Sequence, residues 1–153
     1  MNKETTSTPD YWQELALSSH YLTAVAVKEA LEEGNYFEAE FGINELINAL
    51  SRTDKHAVRS HLIRLMTHVI KWKSQPEKRS VSWIATIRNA RREIRDYQED
   101  TPSITNEKIQ EMWEKCFARA LEEAEYQMNQ KPAIETLSWD EVFNENYSLQ
   151  NLE

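Results

Sequence analysis

Two glycines, Gly34 and Gly42, and four prolines, Pro9, Pro76, Pro102 and Pro132, are all the Gly and Pro punctuation in 153 residues. A many-stranded sheet turns the chain about every 8–12 residues and leans on Gly and Pro to do so. This chain runs from Gly42 to Pro76 with neither. Long uninterrupted stretches suit helices. The expected fold class is therefore all-α: a single-domain bundle of about five helices around a central antiparallel helical hairpin. The 18.1 kDa chain is long enough for one domain with a real core.

Along the chain, residues 1–9 are polar, end in Pro9 and read as disordered. Residues 10–130 read as the helical domain and 131–153 as a mostly irregular tail, able to pack back through Trp139 and Phe143. Asp10 is a plausible N-cap for a helix over 11–33, which Gly34-Asn35 closes with a left-handed turn. Ile43, Leu46, Ile47 and Leu50 then lie at i, i+3, i+4 and i+7, one stripe of an amphipathic helix. Ser51-Arg52-Thr53-Asp54 interrupts or re-caps the chain. Val58, Leu62, Leu65, Val69 and Trp72 continue the spacing to Pro76, which ends that helix. Ser80 or Ser82 caps the next, whose stripe is Trp83, Ile87, Ala90, Ile94 and Tyr97. Residues 54–74 and 80–98 thus make the hairpin. After a turn at Asp100-Thr101-Pro102-Ser103, a helix over about 104–129 buries Ile109, Met112 or Trp113, Cys116, Phe117, Ala120, Leu121 and Ala124.

Charge is segregated by segment. Residues 52–95 hold twelve Lys or Arg against three acidic residues, and the remainder six against twenty-three, within a net charge of −8. The acidic runs Glu29-Glu32-Glu33, Glu38-Glu40-Glu45 and Glu122-Glu123-Glu125 are expected to pair with the basic face across helices. Such exposed pairs contribute about 0–1 kcal/mol each. One cysteine cannot form an intramolecular disulfide, and no apolar run reaches the roughly 20 residues that span a bilayer. A cytoplasmic protein without membrane contact is the expectation.

The stretch 65–95, LMTHVIKWKSQPEKRSVSWIATIRNARREIR, carries a recognisable pattern in His68, Lys71-Trp72, Gln75-Pro76, Arg79-Ser80, Ser82-Trp83, Thr86-Ile87 and Arg92. With it, the chain resembles the domain-of-unknown-function family number 29, small bacterial proteins built of helices. The resemblance implies an all-helical fold and no known activity.

His61, Arg64, His68 and Lys71 fall on adjacent turns of one helix border, but no Glu-x-x-His, His-Glu-x-x-His or paired Cys accompanies them, and the nearby cations oppose a metal. No metal or cofactor is expected. With no glycine after Gly42 there is neither a phosphate loop nor a nucleophile elbow, so no catalytic residue is assigned. Trp72 and Trp83 flank a cation-rich elbow containing Lys71, Lys73, Lys78 and Arg79, but both sit on apolar stripes and read as core. Arg88, Arg91, Arg92 and Arg95 form a basic face. Binding residues expected for any functional surface are His68, Lys71, Arg79, Ser80, Thr86, Arg88 and Arg92, polar positions at the hairpin that packing does not explain. Three functions follow in order. The first is a non-enzymatic interaction module that meets a protein partner or itself. The second is nucleic-acid binding through residues 71–95. The third is a hydrolytic enzyme with His68 as general base.

Overall fold

Between Ser18 and His20 the chain leaves one helix and enters another, where a single helix is expected. Ser19 has extended backbone (φ −158°, ψ 114°), and its hydroxyl accepts from the Leu22 amide at 3.1 Å. Serine competes with helix backbone for local hydrogen bonds, so here it caps rather than continues. The computed structural model describes residues 9–149. The segment 1–8, expected to be disordered, and residues 150–153 lie outside them. Among the described residues the regular elements are α1 (Pro9–Ser18), α2 (His20–Glu32), α3 (Tyr36–Ser74), a 3-10 turn (Pro76–Lys78), α4 (Val81–Asp100), α5 (Asn106–Glu111), α6 (Trp113–Met128) and α7 (Trp139–Phe143). The fold is the expected all-α domain. Its chain divides into two units, Met1–Lys55 and His56–Glu153.

In the first unit Gly34 takes φ +76°, the left-handed turn expected after α2, and the Asn35 amide reaches back to the Ala30 carbonyl at 2.8 Å. The core is Trp12, Val27, Ala30 and Ala39, with the Trp12 indole Nε1 donating to buried Glu38 at 2.9 Å. Gly42 faces that indole, where no side chain would fit. The stripe expected on this part of α3 is split: Leu46 is buried, whereas Ile43, Ile47 and Leu50 are exposed.

The expected interruption at residues 51–54 does not occur, and α3 runs unbroken for 39 residues. Thr53 bonds the Ala49 carbonyl at 3.0 Å instead of capping a new helix. With no glycine or proline from residue 43 to 75, nothing forces a stop. Pro76 then does so, as expected.

The second unit holds the larger core. Val58, Leu62, Leu65, Val69 and Trp72 of α3 are buried as their spacing predicts, and Met66 and Ile70 are buried beside them. Two faces of this part of α3 are covered because Ile87, Ala90 and Ile94 of α4 and Cys116, Ala120 and Ala124 of α6 share its cluster. Each fully buried Leu, Ile or Val contributes about 1.5–3 kcal/mol. Met112 breaks the expected helix over 104–129 into α5 and α6, and Asn129 closes α6 at φ 52°. Beyond it, Leu137 and Val142 enter the same core. Trp139 and Phe143 pack on Trp113, whose indole donates to the Leu137 carbonyl at 3.1 Å. Burial pushes the Cys116 thiol up to about 11, so it packs as a neutral apolar group.

Candidate functional site

The hairpin elbow between α3 and α4 is built from side chains expected on sequence to be available for binding. Arg79 donates through Nε to the Trp72 carbonyl at 2.9 Å, satisfying a backbone acceptor of the last turn of α3, and its guanidinium lies 4.7 Å from the Trp72 ring centre. Ser80 is the N-cap of α4, accepting from the Trp83 amide at 3.2 Å. Lys71 lies 4.8 Å from the half-buried Trp83 ring and donates to Gln127 of α6 at 2.7 Å. Burial lowers its pKa, and Glu123 partly opposes this. His68 faces the Arg64 carbonyl through Nδ1 at 2.9 Å, and burial, with help from Lys71 and Arg64, holds its pKa below the usual value. Core packing and capping thus engage Lys71, Arg79 and Ser80.

Thr86 and Arg92 border a cleft of about 530 Å³ between α3 and α4, with His61, Arg64, Asn89 and Glu93. The His61 pKa is lowered by burial first and then by Arg64, which approaches its Nδ1 at 3.1 Å. Thr86 is turned back onto the Ser82 carbonyl at 3.1 Å.

Arg92 borders a second cleft as well, and there it comes together with Arg88. With Arg91 and Arg95 they line a groove of about 600 Å³, whose apolar side is Ile84 and Ile87 and whose far wall is Asn146, Tyr147 and Ser148. Arg91 is the clamp of this wall. Its Nε donates to the Val142 carbonyl at 2.8 Å, a terminal nitrogen reaches the Glu141 carbonyl at 3.4 Å, and its guanidinium lies 5.4 Å from the Tyr147 ring centre. Tyr147 packs edge-on to Trp72 and donates its hydroxyl to the Glu141 carbonyl at 2.6 Å. Burial, reinforced by Glu145, raises its pKa, so the phenol stays a donor.

Arg88, Arg92 and Arg95 are exposed, and among the described residues of the second unit no carboxylate lies within 4 Å of them. The pairing expected with Glu122, Glu123 and Glu125 is absent there because Glu122 and Glu125 border a different cleft, with Tyr126 and Asn129. Among the described residues of this unit Lys73 pairs instead with Glu141. Tyr147 and Asn146 were not legible as groove residues, since a polar tail has no periodicity to point them at α4. Among the described residues no three His, Cys, Asp or Glu side chains converge as a metal site requires. Among the described residues no helix is long and apolar enough to cross a membrane.

The groove wall depends on α7, and α7 depends on a carboxylate. Glu141 closes a capping box with Ser138, accepting from the Ser138 amide at 2.9 Å while its own amide donates to the Ser138 hydroxyl at 3.1 Å. The hydrogen bond from Lys73, and then that from the Ser138 amide, hold its carboxyl below the ordinary range. A folded-state pKa below the unfolded value of about 4.3 gives stabilisation that is complete above that pH and lost as pH falls through the folded pKa. The protection factors of residues 139–147 against hydrogen exchange should therefore fall on acidification through and below about pH 4. Glu141→Gln should lower them already at neutral pH and remove that step. An unchanged acid profile in the variant would show that Glu141 does not hold α7.

The family model described as "Domain of unknown function DUF29" matches residues 18–148. No curated protein and no solved structure matches the chain. The match spans the elbow built by Trp72, Arg79, Ser80 and Trp83 and the α4 groove with its wall, and by its extent the chain belongs to the DUF29 family.

Proposed function

We propose that this protein is a non-enzymatic interaction module whose arginine groove receives an acidic segment of a partner protein. The observation that carries the reading is the set Arg88, Arg92 and Arg95, at i, i+4 and i+7 on one face of α4, exposed and, among the described residues of their own unit, without a carboxylate within 4 Å. Guanidinium forks bind carboxylates in bidentate fashion, and three in line match carboxylates spaced along a peptide. Ile84 and Ile87 give the groove an apolar side that would take an intervening aliphatic residue. The single thiol, buried Cys116, suits a reducing cytoplasm.

Nucleic-acid binding is the weaker reading because its stacking platforms are already occupied. Single-stranded binders stack bases on free aromatic faces. Here Trp72 is buried under Arg79, Trp83 is covered by Lys71, and Tyr147 is held between Trp72 and Arg91. A net charge of −8 also opposes the non-specific attraction to phosphate on which such proteins rely. Hydrolysis through His68 has less support still, since no hydroxyl or thiol is hydrogen-bonded to the imidazole among the described residues.

The test is fluorescence anisotropy with two labelled probes, a peptide alternating Glu and Leu and a uridine oligonucleotide. The peptide should bind in the micromolar range, and Arg88→Glu/Arg92→Glu/Arg95→Glu should weaken it by at least about a hundredfold, or roughly 3 kcal/mol. Arg79 stays wild type, because its loss would disturb the elbow. Oligonucleotide binding with a steep salt dependence and no peptide binding would make the groove a phosphate site and overturn the proposal.

A further inference from the structure

The cleft between α3 and α4 that His61, Arg64, Thr86, Asn89, Arg92 and Glu93 border is distinct from the arginine groove, with Arg92 common to both. Nearby Lys71, Arg79 and Arg91 are engaged within the chain, on Trp83 and Gln127, on the Trp72 carbonyl, and on the carbonyls of Val142 and Glu141. Arg64 and Arg92 are not. Both are exposed, and among the described residues neither has a carboxylate within 4 Å. A guanidinium can only donate, so the approach of Arg64 to His61 Nδ1 at 3.1 Å makes that nitrogen the acceptor and leaves the proton of the neutral ring on Nε2. The Asn89 amide adds two further donors.

We propose that this cleft is a proton-gated site for the phosphate of a small phosphomonoester. The inference does not rest on the arginine groove. Guanidinium groups from two helices offer donors in more than one plane, which suits the tetrahedral oxygens of a phosphate, whereas a carboxylate is matched by one planar fork. The volume of about 530 Å³ lies in the range of about 300–1,000 Å³ typical of sites for small organic ligands, more than an inorganic ion fills. Thr86 lies seven residues before Glu93, about 10 Å along α4, which leaves room for the organic part on its side. The Thr86 hydroxyl gives its proton to the Ser82 carbonyl, so its oxygen is left to accept from a ligand hydroxyl.

His61 is the gate. The charged groups bordering it are Arg64 on its own helix and Arg92 and Glu93 on α4. With a neutral ring the border carries a net charge of +1, and protonation makes it +2 by offsetting Glu93. Burial, and then Arg64, hold the ring in its neutral form, while Glu93 opposes them. A protonated ring cannot accept from Arg64, which frees that guanidinium for the ligand. An anion in the cleft thus favours the protonated ring, and by reciprocity acid tightens its binding.

NMR titration of the histidine rings tests this, with sulfate as the probe because it stays a dianion throughout the range in which imidazole titrates. At constant ionic strength, saturating sulfate should raise the His61 midpoint by about one pH unit and leave His20 and His56 unmoved, and sulfate affinity should rise about fivefold from about pH 7.5 to about pH 5.5. His61→Gln keeps a donor but does not titrate, so it should lose this pH dependence. Arg64→Gln should weaken sulfate at least about tenfold. Arg59→Gln removes the same charge from another side of α3, 200° round the helix from His61 at 100° per residue, and should change the affinity less than about twofold. Glycerol 3-phosphate should bind at least about fivefold more tightly than inorganic phosphate. Equal affinity would assign the cleft to the free ion and overturn the ester. An unmoved His61 midpoint, or equal losses in Arg64→Gln and Arg59→Gln, overturns the site itself. Arg92 stays wild type throughout, so this test and that of the groove fail separately.

Discussion

Gly42→Ala should destabilise the first unit by about 3 kcal/mol, although alanine is the better helix former by about 1 kcal/mol. The added methyl would stand 2.5 and 2.7 Å from two carbons of the Trp12 ring and 2.8 Å from a Val27 methyl. All three contacts are shorter than carbon atoms tolerate. Trp12 and Val27 are both buried, and the rigid indole cannot turn aside as a flexible chain end would. Displacing the ring also stretches its bond to Glu38, a carboxylate 8% exposed. A hydrogen bond to a charged group contributes about 1.5–3 kcal/mol, and a buried carboxylate without its donor costs more. The clash therefore outweighs the propensity gain. Urea denaturation gives the total effect, and faster hydrogen exchange across residues 11–32 would place it. In Trp12→Phe, which removes the benzo carbons concerned, the same Gly42→Ala change should cost much less. Equal costs in the two backgrounds would sink the explanation.

Arg79→Ala should cost about 2–3 kcal/mol, from a charged hydrogen bond to the Trp72 carbonyl and a cation stacked on the same indole. Arg79→Lys should recover less than half, because a point charge has no Nε–H to reach the carbonyl while the cation lies over the ring. Arg88→Ala, an exposed residue with no hydrogen bond or ion pair among the described residues of its unit, should change stability by less than about 0.5 kcal/mol and is the control. Equal stability of Arg79→Ala and Arg88→Ala in urea would return Arg79 to the list of free binding residues. The expected difference separates two arginines that the sequence presents as equivalent. One shapes the elbow, and the other faces solvent.

The class of the fold was legible because it follows from local chemistry. Scarce glycine and proline left only helices, Pro76 had to end α3, Ser80 could cap α4, and Gly34 could take the left-handed turn. The stripes of α4 and of residues 58–72 were legible for a related reason, since a sustained period of 3.6 residues fixes which side chains share a face. The same rule failed at Ile43, Ile47 and Leu50. Periodicity groups side chains by direction but does not say whether another element covers them, and here Trp12 of α1 and Val27 of α2 meet α3 at Gly42 while Ile43, Ile47 and Leu50 stay exposed.

For the candidate site, the sequence determined where the guanidinium groups are and that Arg88, Arg92 and Arg95 lie on one face of a helix. Only the tertiary structure decided which cations were engaged. Arg79 and Arg91 meet backbone carbonyls, of Trp72 and of Glu141 and Val142, that become acceptors only when the elbow and the tail are folded. Tyr147 reaches the groove because α7 docks on Arg91 of α4, whose guanidinium bonds the Glu141 carbonyl 50 residues downstream. A guanidinium carries the same chemistry toward a carbonyl of its own chain as toward a foreign carboxylate, so residue type and spacing set the stock of charges, and long-range packing decided which of them face water.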